Sequence, residues 1–207
     1  NGDLIFNLEY LAMVRLNACG KVRWRLAELS HHSIHLDENN TIWTSINAFH
    51  HFPKQSHRLH GPYYTEPFIA RISAEGSVLE KISILDVLEN NHFYGALYLS
   101  SLHNTLPKVK GDTLHVNDVE TFPKNLEEGF LKHGDIMVSL RNINTILIIE
   151  PHTWRIKHAI SHVMLRQHDP DFIDGNHIAV FDNNTRFNTN DNAAYSRILR
   201  IAVPSNT

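Results

Sequence analysis

Gln167-His168-Asp169-Pro170 opens the stretch that best indicates the fold, which continues through Asp174-Gly175-Asn176 to Val180-Phe181-Asp182-Asn183. The residues from His177 to Phe181 read as a strand. The Asp-Gly-Asn turn ahead of them predicts a hairpin, because such a turn supplies a residue that tolerates φ > 0. His168 would then lie at the mouth of a sheet, near a strand end, where β-proteins commonly place reactive groups.

The composition describes an ordinary folded protein. The chain has 207 residues, which is enough for one sizeable domain or two closely packed domains. Of these residues 42% are hydrophobic and 20% are charged, which is typical of a folded protein. A net charge of −3 without a basic run argues against a nucleic-acid partner. No apolar run approaches the ~20 residues of a membrane span, and no secretory apolar segment is visible. Since the chain begins at Asn1 rather than Met, the missing signal peptide says little about compartment.

The cysteine and histidine content limits which kinds of chemical site the chain can form. Cys19 is the only cysteine, so an intrachain disulfide and CxxC metal or redox sites are excluded, and its apolar surroundings predict a core position. The 16 histidines are unusual. They indicate either surface and loop positions or a site built from several imidazoles.

Strand-turn-strand patterns follow one another along most of the chain. Runs in which apolar and polar residues alternate with period 2 are separated by turn residues, which predicts short antiparallel strands. The expected strand regions are 3–26, 34–46, 68–82, 114–158 and 163–201. Two segments differ: Phe49–Thr65 lacks periodicity and predicts a long loop, and 83–103 predicts one or two short helices.

Many short strands and almost no helix predict an all-β architecture. Three motifs recur, each expected just ahead of a strand-turn-strand unit: His32-Ser33-Ile34, Asn117-Asp118-Val119 and His168-Asp169-Pro170. Repeated four-stranded units of about 40–50 residues are typical of β-propeller blades, and propellers usually have about 4–8 blades. About four blades are visible, so we expect residues 1–207 to form one small propeller domain or part of a larger propeller, and the second is favoured.

The propeller hypothesis selects a set of candidate site residues. The innermost strand of each blade lines a central channel, which would bring His32, Asn117 and His168 together. His115 precedes Asn117 by two residues and is expected on the same strand face, and Arg141 ends the strand of residues 137–140. Three imidazoles, an amide and a guanidinium suit an oxyanion with tetrahedral oxygens, because they offer several hydrogen-bond donors.

These motifs, taken in order, carry a resemblance to a known family. They are His31-His32-Ser33-Ile34, Leu114-His115-Val116-Asn117-Asp118-Val119-Glu120, the segment from Gly134 to Asn144, Gln167-His168-Asp169-Pro170 and Phe181-Asp182-Asn183. The set resembles the PAPS-independent arylsulfotransferases (arylsulfate sulfotransferases) over about residues 20–202. The resemblance implies a six-bladed β-propeller whose members move a sulfuryl group from one phenol to another through a sulfohistidine.

The resemblance also implies a role for each candidate. His168 resembles the nucleophile, and the other four resemble the groups that hold the sulfuryl oxygens and assist the leaving phenol: His32, His115, Asn117 and Arg141. It implies aryl sulfate and phenol substrates, a periplasmic or secreted location, and neither a metal nor a nucleotide cofactor. A homo-oligomer is left open.

The chemistry is reasonable on physical grounds alone. Sulfuryl transfer resembles phosphoryl transfer, in which positioning and electrostatics dominate. A neutral imidazole is a competent nucleophile near its reference pKa of about 6.5, and a neighbouring Arg favours the neutral form. A phenol, with a pKa of about 10, leaves more easily than an alkyl alcohol. The loops 49–65 and 183–194 would shape the acceptor pocket.

Other interpretations stay open at this point. Arg141 could instead form a salt bridge to Asp118 or Asp169, and Asp169 and Asp182 are favoured as turn and blade-closing residues. A metal site is a rival in a histidine-rich chain, on the pairs His158/His162 or His57/His60, although 155–163 reads as strand, where a spacing of four does not converge. A non-catalytic propeller that serves as a scaffold or binding module is the second rival, since a fold alone implies no activity.

Overall fold

A computed structural model describes residues 2–52, 60–97, 99, 109–184 and 195–205. The chain divides into two compact units, with the boundary between Thr113 and Leu114. Fifteen strands are present in the described residues, arranged in four sheets, and every pairing is antiparallel except the one between β6 and β8. The all-β class predicted from the sequence is confirmed.

The first unit contains two sheets. The first sheet has the order β1-β2-β3, and the second has the order β4-β5-β6-β7 with β8 added to β6. Their bounds are β1 Leu4–Leu8, β2 Ala12–Leu16, β3 Val22–Leu26, β4 Leu29–Leu36, β5 Ile42–His50, β6 His60–Ile72, β7 Val78–Ser83 and β8 Val109–Gly111. The core of this unit is formed by Met13, Ile42, Ile46, Ala70 and Ile72, against which Trp24 packs.

Two short helices follow β7, as the sequence predicted for 83–103. They are α1 (Ile84–Asn90) and α2 (Tyr94–Leu97). The Ser83 hydroxyl accepts a hydrogen bond from the backbone N–H of Asp86, which caps the start of α1. None of the helices among the described residues is long and apolar enough to cross a membrane.

The second unit also contains two sheets. One has the order β12-β11-β10-β9 and the other has the order β13-β14-β15. Their bounds are β9 Val116–Thr121, β10 Ile136–Leu140, β11 Thr145–Ile149, β12 Ile156–Ser161, β13 His168–Asp174, β14 His177–Asp182 and β15 Arg197–Ala202. β10 and β11 are buried along their whole length, which explains why they read as continuous apolar runs. Side chains from both sheets form one core that includes Met137, Ile148 and Ile178.

Three local expectations were wrong. The segment Phe49–Thr65 is not a loop throughout, because β5 continues to His50 and β6 begins at His60; residues 53–59, which include His57, lie outside the described residues. Cys19 is exposed in the turn between β2 and β3 rather than buried in the core. All three recurring motifs lie inside the first strand of their sheets rather than ahead of it: His32 in β4, Asn117 in β9 and His168 in β13.

The turn between β13 and β14 has a different physical basis from the one expected. The hairpin itself is confirmed, but none of Asp174, Gly175 and Asn176 has a positive φ. A Cβ added at Gly175 would instead overlap the backbone nitrogen of Gly129. Glycine is therefore needed for close approach of two backbones.

Candidate functional site

His168 is the first residue of β13 and lies next to a bulge. It pairs with Phe181, and Asp171 pairs with Ala179, so three steps along β13 match two along β14. Asp169 has a φ of 49°, in the left-handed region that a bulged residue can adopt. The extra residue brings His168 and Asp171 to the same face of the sheet, which alternation alone would not do.

Arg166 and Asn183 contact one nitrogen of the His168 ring. Its Nδ1 lies 3.1 Å from the carbonyl oxygen of Arg166 and 3.1 Å from Nδ2 of Asn183. Asn183 Nδ2 also donates to the same Arg166 oxygen, at 2.8 Å. Because a carbonyl can only accept, the contact with Arg166 assigns the ring proton to Nδ1, and the lone pair is then on Nε2. The amide nitrogen of Asn183 is also a donor, so its hydrogen bond is the one to the Arg166 carbonyl.

The surroundings of His168 favour its neutral form. Burial lowers the pKa of the imidazole, and the charges of Arg141 and His115 lower it further. The hydrogen bond to the Arg166 carbonyl and the charge of Asp169 act in the opposite direction and raise the pKa, but the net shift is downward. A lowered pKa keeps Nε2 unprotonated at neutral pH.

Arg141 and His115 are held together by the backbone. β10 ends at Leu140 and a 3₁₀ turn begins at Arg141, whose N–H donates to the His115 carbonyl oxygen at 3.0 Å. The N–H of Asn142 donates to the Leu114 carbonyl oxygen, also at 3.0 Å. His115 is almost fully buried, with 6% of its surface exposed, and has a φ of 55°. The two residues therefore enter the site from adjacent strands as one unit.

Asn117 connects the start of β9 to the start of β13. It is the extra residue of a bulge, since Val116 pairs with Leu140 and Asp118 pairs with Ser139. Its buried Nδ2 donates one hydrogen bond, 2.8 Å long, to the carbonyl oxygen of Gln167. This bulge and the left-handed backbone at His115 interrupt the period-2 alternation on which the expectation of a shared face rested. The second N–H of the amide is not used in this contact.

Gln167 completes a buried network behind His168. Its side chain is fully buried, and its Nε2 donates to Ser139 Oγ at 3.0 Å and to the Thr145 carbonyl at 3.2 Å. The N–H of Arg166 donates to Asn144 Oδ1 at 2.8 Å. Polar groups from β10 and the turn after it thus fix the backbone on which His168 is mounted.

Asp182, the last residue of β14, connects this strand to the start of β15 and to the segment ahead of β13. Its buried carboxylate accepts from the N–H groups of Leu165 and Asn184, at 2.7 and 3.0 Å, and from Arg197 Nε at 2.8 Å. These contacts give Asp182 a structural role. Arg197 is accordingly tied to Asp182.

His32 lies in the first unit and is described there by itself. It lies in β4, at a break of register between His31 and Ile34, with a φ of 57°. Its N–H donates to Glu9 Oε1 at 2.9 Å, and its carbonyl accepts from Asn7 Nδ2 at 3.1 Å. His31 is fully buried and stacks on Tyr10, with ring centroids 4.8 Å apart. His32 therefore has the more accessible imidazole of the pair.

A pocket of about 300 Å³ opens beside His168. Its walls combine the imidazole and acidic side chains of β13 with apolar side chains of β14 and β15. The lining residues are His168, Asp169, Asp171, Ala179, Val180, Phe181 and Ile198.

Acidic residues gather where β9 packs against β13. Burial raises the pKa of Glu120 to about 8, and the charges of Asp118, Asp171 and Asp169 contribute to that shift. The pKa of Asp171 is also raised, by burial and by Asp169. Glu120 therefore holds its proton at neutral pH.

Within the second unit, four of the five sequence-predicted residues surround one region: His115, Asn117, Arg141 and His168. Sequence reasoning gave no role to Gln167 and Asn183, which support His168, although it quoted both in the central motif. Nothing in local alternation predicts their contacts, because each spans 15 residues or more. The loop residues 185–194, expected to shape the acceptor pocket, lie outside the described residues.

Comparisons with known proteins identify the family of the chain. No curated protein matches the chain. One solved structure, described as a protein of unknown function from Bacteroides caccae, aligns with a TM-score of 0.54 at 10% identity, and the alignment covers 99% of this chain and 54% of that one. The chain thus spans about half the length of that protein, and at this identity the likeness shows the fold alone. The family model described as Arylsulfotransferase (ASST) matches residues 1–207. The chain belongs to the arylsulfotransferase family.

Proposed function

We propose that the protein transfers a sulfuryl group from an aryl sulfate ester to a phenol through a sulfohistidine at His168. The observation that carries the proposal is the state of the His168 ring, whose Nδ1 is bound to the Arg166 carbonyl and whose pKa is lowered by burial and by Arg141. The hydrogen bond fixes the tautomer with its lone pair on Nε2, and the lowered pKa keeps the imidazole neutral, which is what a nucleophile at neutral pH requires.

In the first half-reaction, the Nε2 lone pair attacks the sulfur of the donor. The N–S bond forms while the bond from sulfur to the aryl oxygen breaks, and the aryl oxygen leaves with the electron pair. His115, close enough to influence the pKa of His168, is the candidate that delivers a proton to this oxygen. Arg141 carries the positive charge that stabilises the sulfuryl oxygens.

In the second half-reaction, an acceptor phenol replaces the departed phenol. Its oxygen attacks sulfur, the N–S bond breaks, and the electron pair returns to Nε2. The phenolic proton passes to the group that protonated the leaving oxygen, so the site returns to its starting state. The proton on Nδ1 stays there throughout, hydrogen-bonded to the Arg166 carbonyl oxygen.

The finer predictions made from the sequence belong to the same proposal. We assign His32 and Asn117 to the sulfuryl oxygens, as the resemblance implies. We also assign the four sheets to blades of a β-propeller and the protein to the periplasm or the extracellular space. The proposal rests on family membership for these points.

The test is turnover of a chromogenic aryl sulfate with and without phenol, in the natural protein and in His168→Ala. We expect release of the donor's phenol that requires an acceptor and is abolished in His168→Ala. His152→Ala is the matched control, because His152 lies in the turn between β11 and β12. Release without any acceptor would indicate a sulfatase instead. A folded protein with no turnover would favour the non-catalytic binding module.

A further inference from the structure

Two cross-strand rows of side chains lie on one face of the sheet β13-β14-β15. The bulge after His168 sets the registers so that each row crosses all three strands. The first row is His168, Phe181 and Ile198, and the second row is Asp171, Ala179 and Arg200.

The first row places an apolar ledge directly beside the imidazole. Phe181 is 38% exposed and Ile198 is 68% exposed, and both line the pocket that contains His168. Cross-strand neighbours have Cβ atoms roughly 5 Å apart, so a ring lying on Phe181 would be within reach of the imidazole. Exposed apolar side chains next to a reactive group are suited to an aromatic ligand.

The second row adds charge at a fixed distance from the imidazole. Asp171 and Asp169 line the same pocket. Ala179, which pairs with Asp171 on the neighbouring strand β14, is too small to block access to these carboxylates. Arg200, the third member of this row, lies 3.7 Å from the carboxylate of Asp174. Two residues along a strand span roughly 7 Å, so the rows are separated by about the length of a phenol ring.

The charges are therefore opposite at the two sides of the ledge. Arg141 acts on the imidazole side, where a sulfuryl group would lie. Asp171 lies on the other side, where burial and the negative charge of Asp169 raise the pKa of its carboxyl. A cation placed there would relieve this repulsion.

We propose that the ledge of Phe181 and Ile198 seats the aromatic ring of the substrate, and that Asp171, with Asp169, selects phenols with an ammonium substituent. This inference rests on the proposed function, since it takes the transferred group to lie at His168. Donor and acceptor occupy the same ledge in turn, because one phenol must leave before the next can attack. The preferred donor is then a zwitterion, with a sulfate at one end and an ammonium at the other.

The first experiment measures equilibrium binding by calorimetry, which needs no turnover. The probes are tyramine, para-ethylphenol and para-hydroxyphenylpropanoate, which share a phenol and differ in the charge of the substituent. We expect tyramine to bind roughly fivefold more tightly than the neutral probe, with the anion weakest, as a partly exposed charge pair allows. Asp171→Asn should remove this order, whereas Glu127→Gln, the same loss of charge at an exposed position in the same unit, should keep it.

A second pair of variants tests the ledge. Phe181→Ala should weaken all three probes roughly tenfold, because aromatic contact and buried apolar area are lost whatever the substituent. Phe181→Leu keeps a large apolar side chain and should recover part of the binding that Phe181→Ala loses. It serves as a second variant in case Phe181→Ala fails to fold. Ile173→Ala is the control, since Ile173 is also 38% exposed but does not line the pocket.

The same acceptors in a transfer assay separate this inference from the proposed function. With para-nitrophenyl sulfate as donor, kcat/KM should follow the order of binding. Transfer to all three acceptors with no preference, or a preference that survives Asp171→Asn, would overturn the inference and leave the function standing. Binding with the expected order but no transfer would reject the function and keep the subsite.

Discussion

At the scale of the residue, the tautomer and protonation state of His168 depend on its hydrogen bonds and on the charges of its neighbours. The ordered motifs of the sequence single out His168 as the candidate nucleophile, and that role stays a prediction. The contacts of Nδ1 with the Arg166 carbonyl and Asn183 were not predictable, because they depend on a bulge that brings β13 and the end of β14 into register. Local propensity does not encode that bulge.

Arg141 should set the pH dependence of the reaction. Its charge helps to lower the pKa of His168, so Arg141→Gln should raise that pKa. The reaction needs the neutral imidazole, and the acidic limb of the kcat/KM profile should therefore move to higher pH. The rate at the plateau should fall roughly a hundredfold, because a charged donor to the transition state is lost.

An NMR titration of the His168 ring measures the same shift without turnover. Arg155→Gln is the control, since Arg155 is exposed and pairs with Glu150. A His168 pKa that is unchanged in Arg141→Gln would contradict the placement of Arg141 beside the imidazole.

At the scale of the element, strands and turns were predicted well, whereas their irregularities were not. The hairpins of β1 to β5 and most strands from β9 to β15 follow from period-2 alternation and turn residues, whereas β10 and β11 follow from continuous apolar runs. The bulges at Asn117 and Asp169, and the left-handed backbone at His32 and His115, could not be read in this way. Such positions cost local free energy and are retained where the site needs a redirected side chain.

Gly175 should be essential for the stability of the β13-β14 hairpin. A side chain there would overlap the backbone of Gly129, and the N–H of Leu131 also donates to the Gly175 carbonyl at 2.8 Å. Gly175→Ala should lower the free energy of unfolding by about 2–3 kcal/mol, as overpacking at a fixed backbone does. Urea denaturation measures this change.

Gly95→Ala is the matched control for the turn. Gly95 lies in α2 with open space around its Cα, so the change there should be within about 1 kcal/mol of zero and in the stabilising direction. Equal effects at the two glycines would contradict the close approach seen at Gly175.

Glu120 should make stability depend on pH. Its pKa is raised from the ordinary 4.5 of a glutamate to about 8 in the folded protein, by burial and by the charges of Asp118, Asp171 and Asp169. A raised pKa means that the folded state binds more protons, so its contribution is complete below about pH 4.5 and is lost as pH rises through about 8.

Glu120→Gln removes the titrating group and keeps its shape. The difference in free energy of unfolding between the variant and the natural protein should grow in favour of the variant by on the order of 2–4 kcal/mol as pH rises from 5 to 9. Urea denaturation at each pH measures this difference. Glu127→Gln, at an exposed position, serves as control. A difference between Glu120→Gln and the natural protein that stays constant over this range would show that Glu120 is not protonated at neutral pH.

At the scale of the whole molecule, the sequence predicted the all-β class and the family. Composition and alternation are sufficient for the class, and the order of the motifs is sufficient for the family. The propeller closure predicted from repeats stays a prediction. The chain spans 54% of the solved structure that it resembles, so its activity is a matter for experiment.

The most direct test of the central claim is to trap the sulfated intermediate. The protein is mixed with an aryl sulfate in the absence of acceptor, quenched, digested and examined by mass spectrometry. We expect one added SO₃ group on His168, which disappears when phenol is added before the quench and does not form in His168→Ala. Turnover that is retained in His168→Ala, or an SO₃ group on a different residue, would contradict the assignment of His168 as the nucleophile.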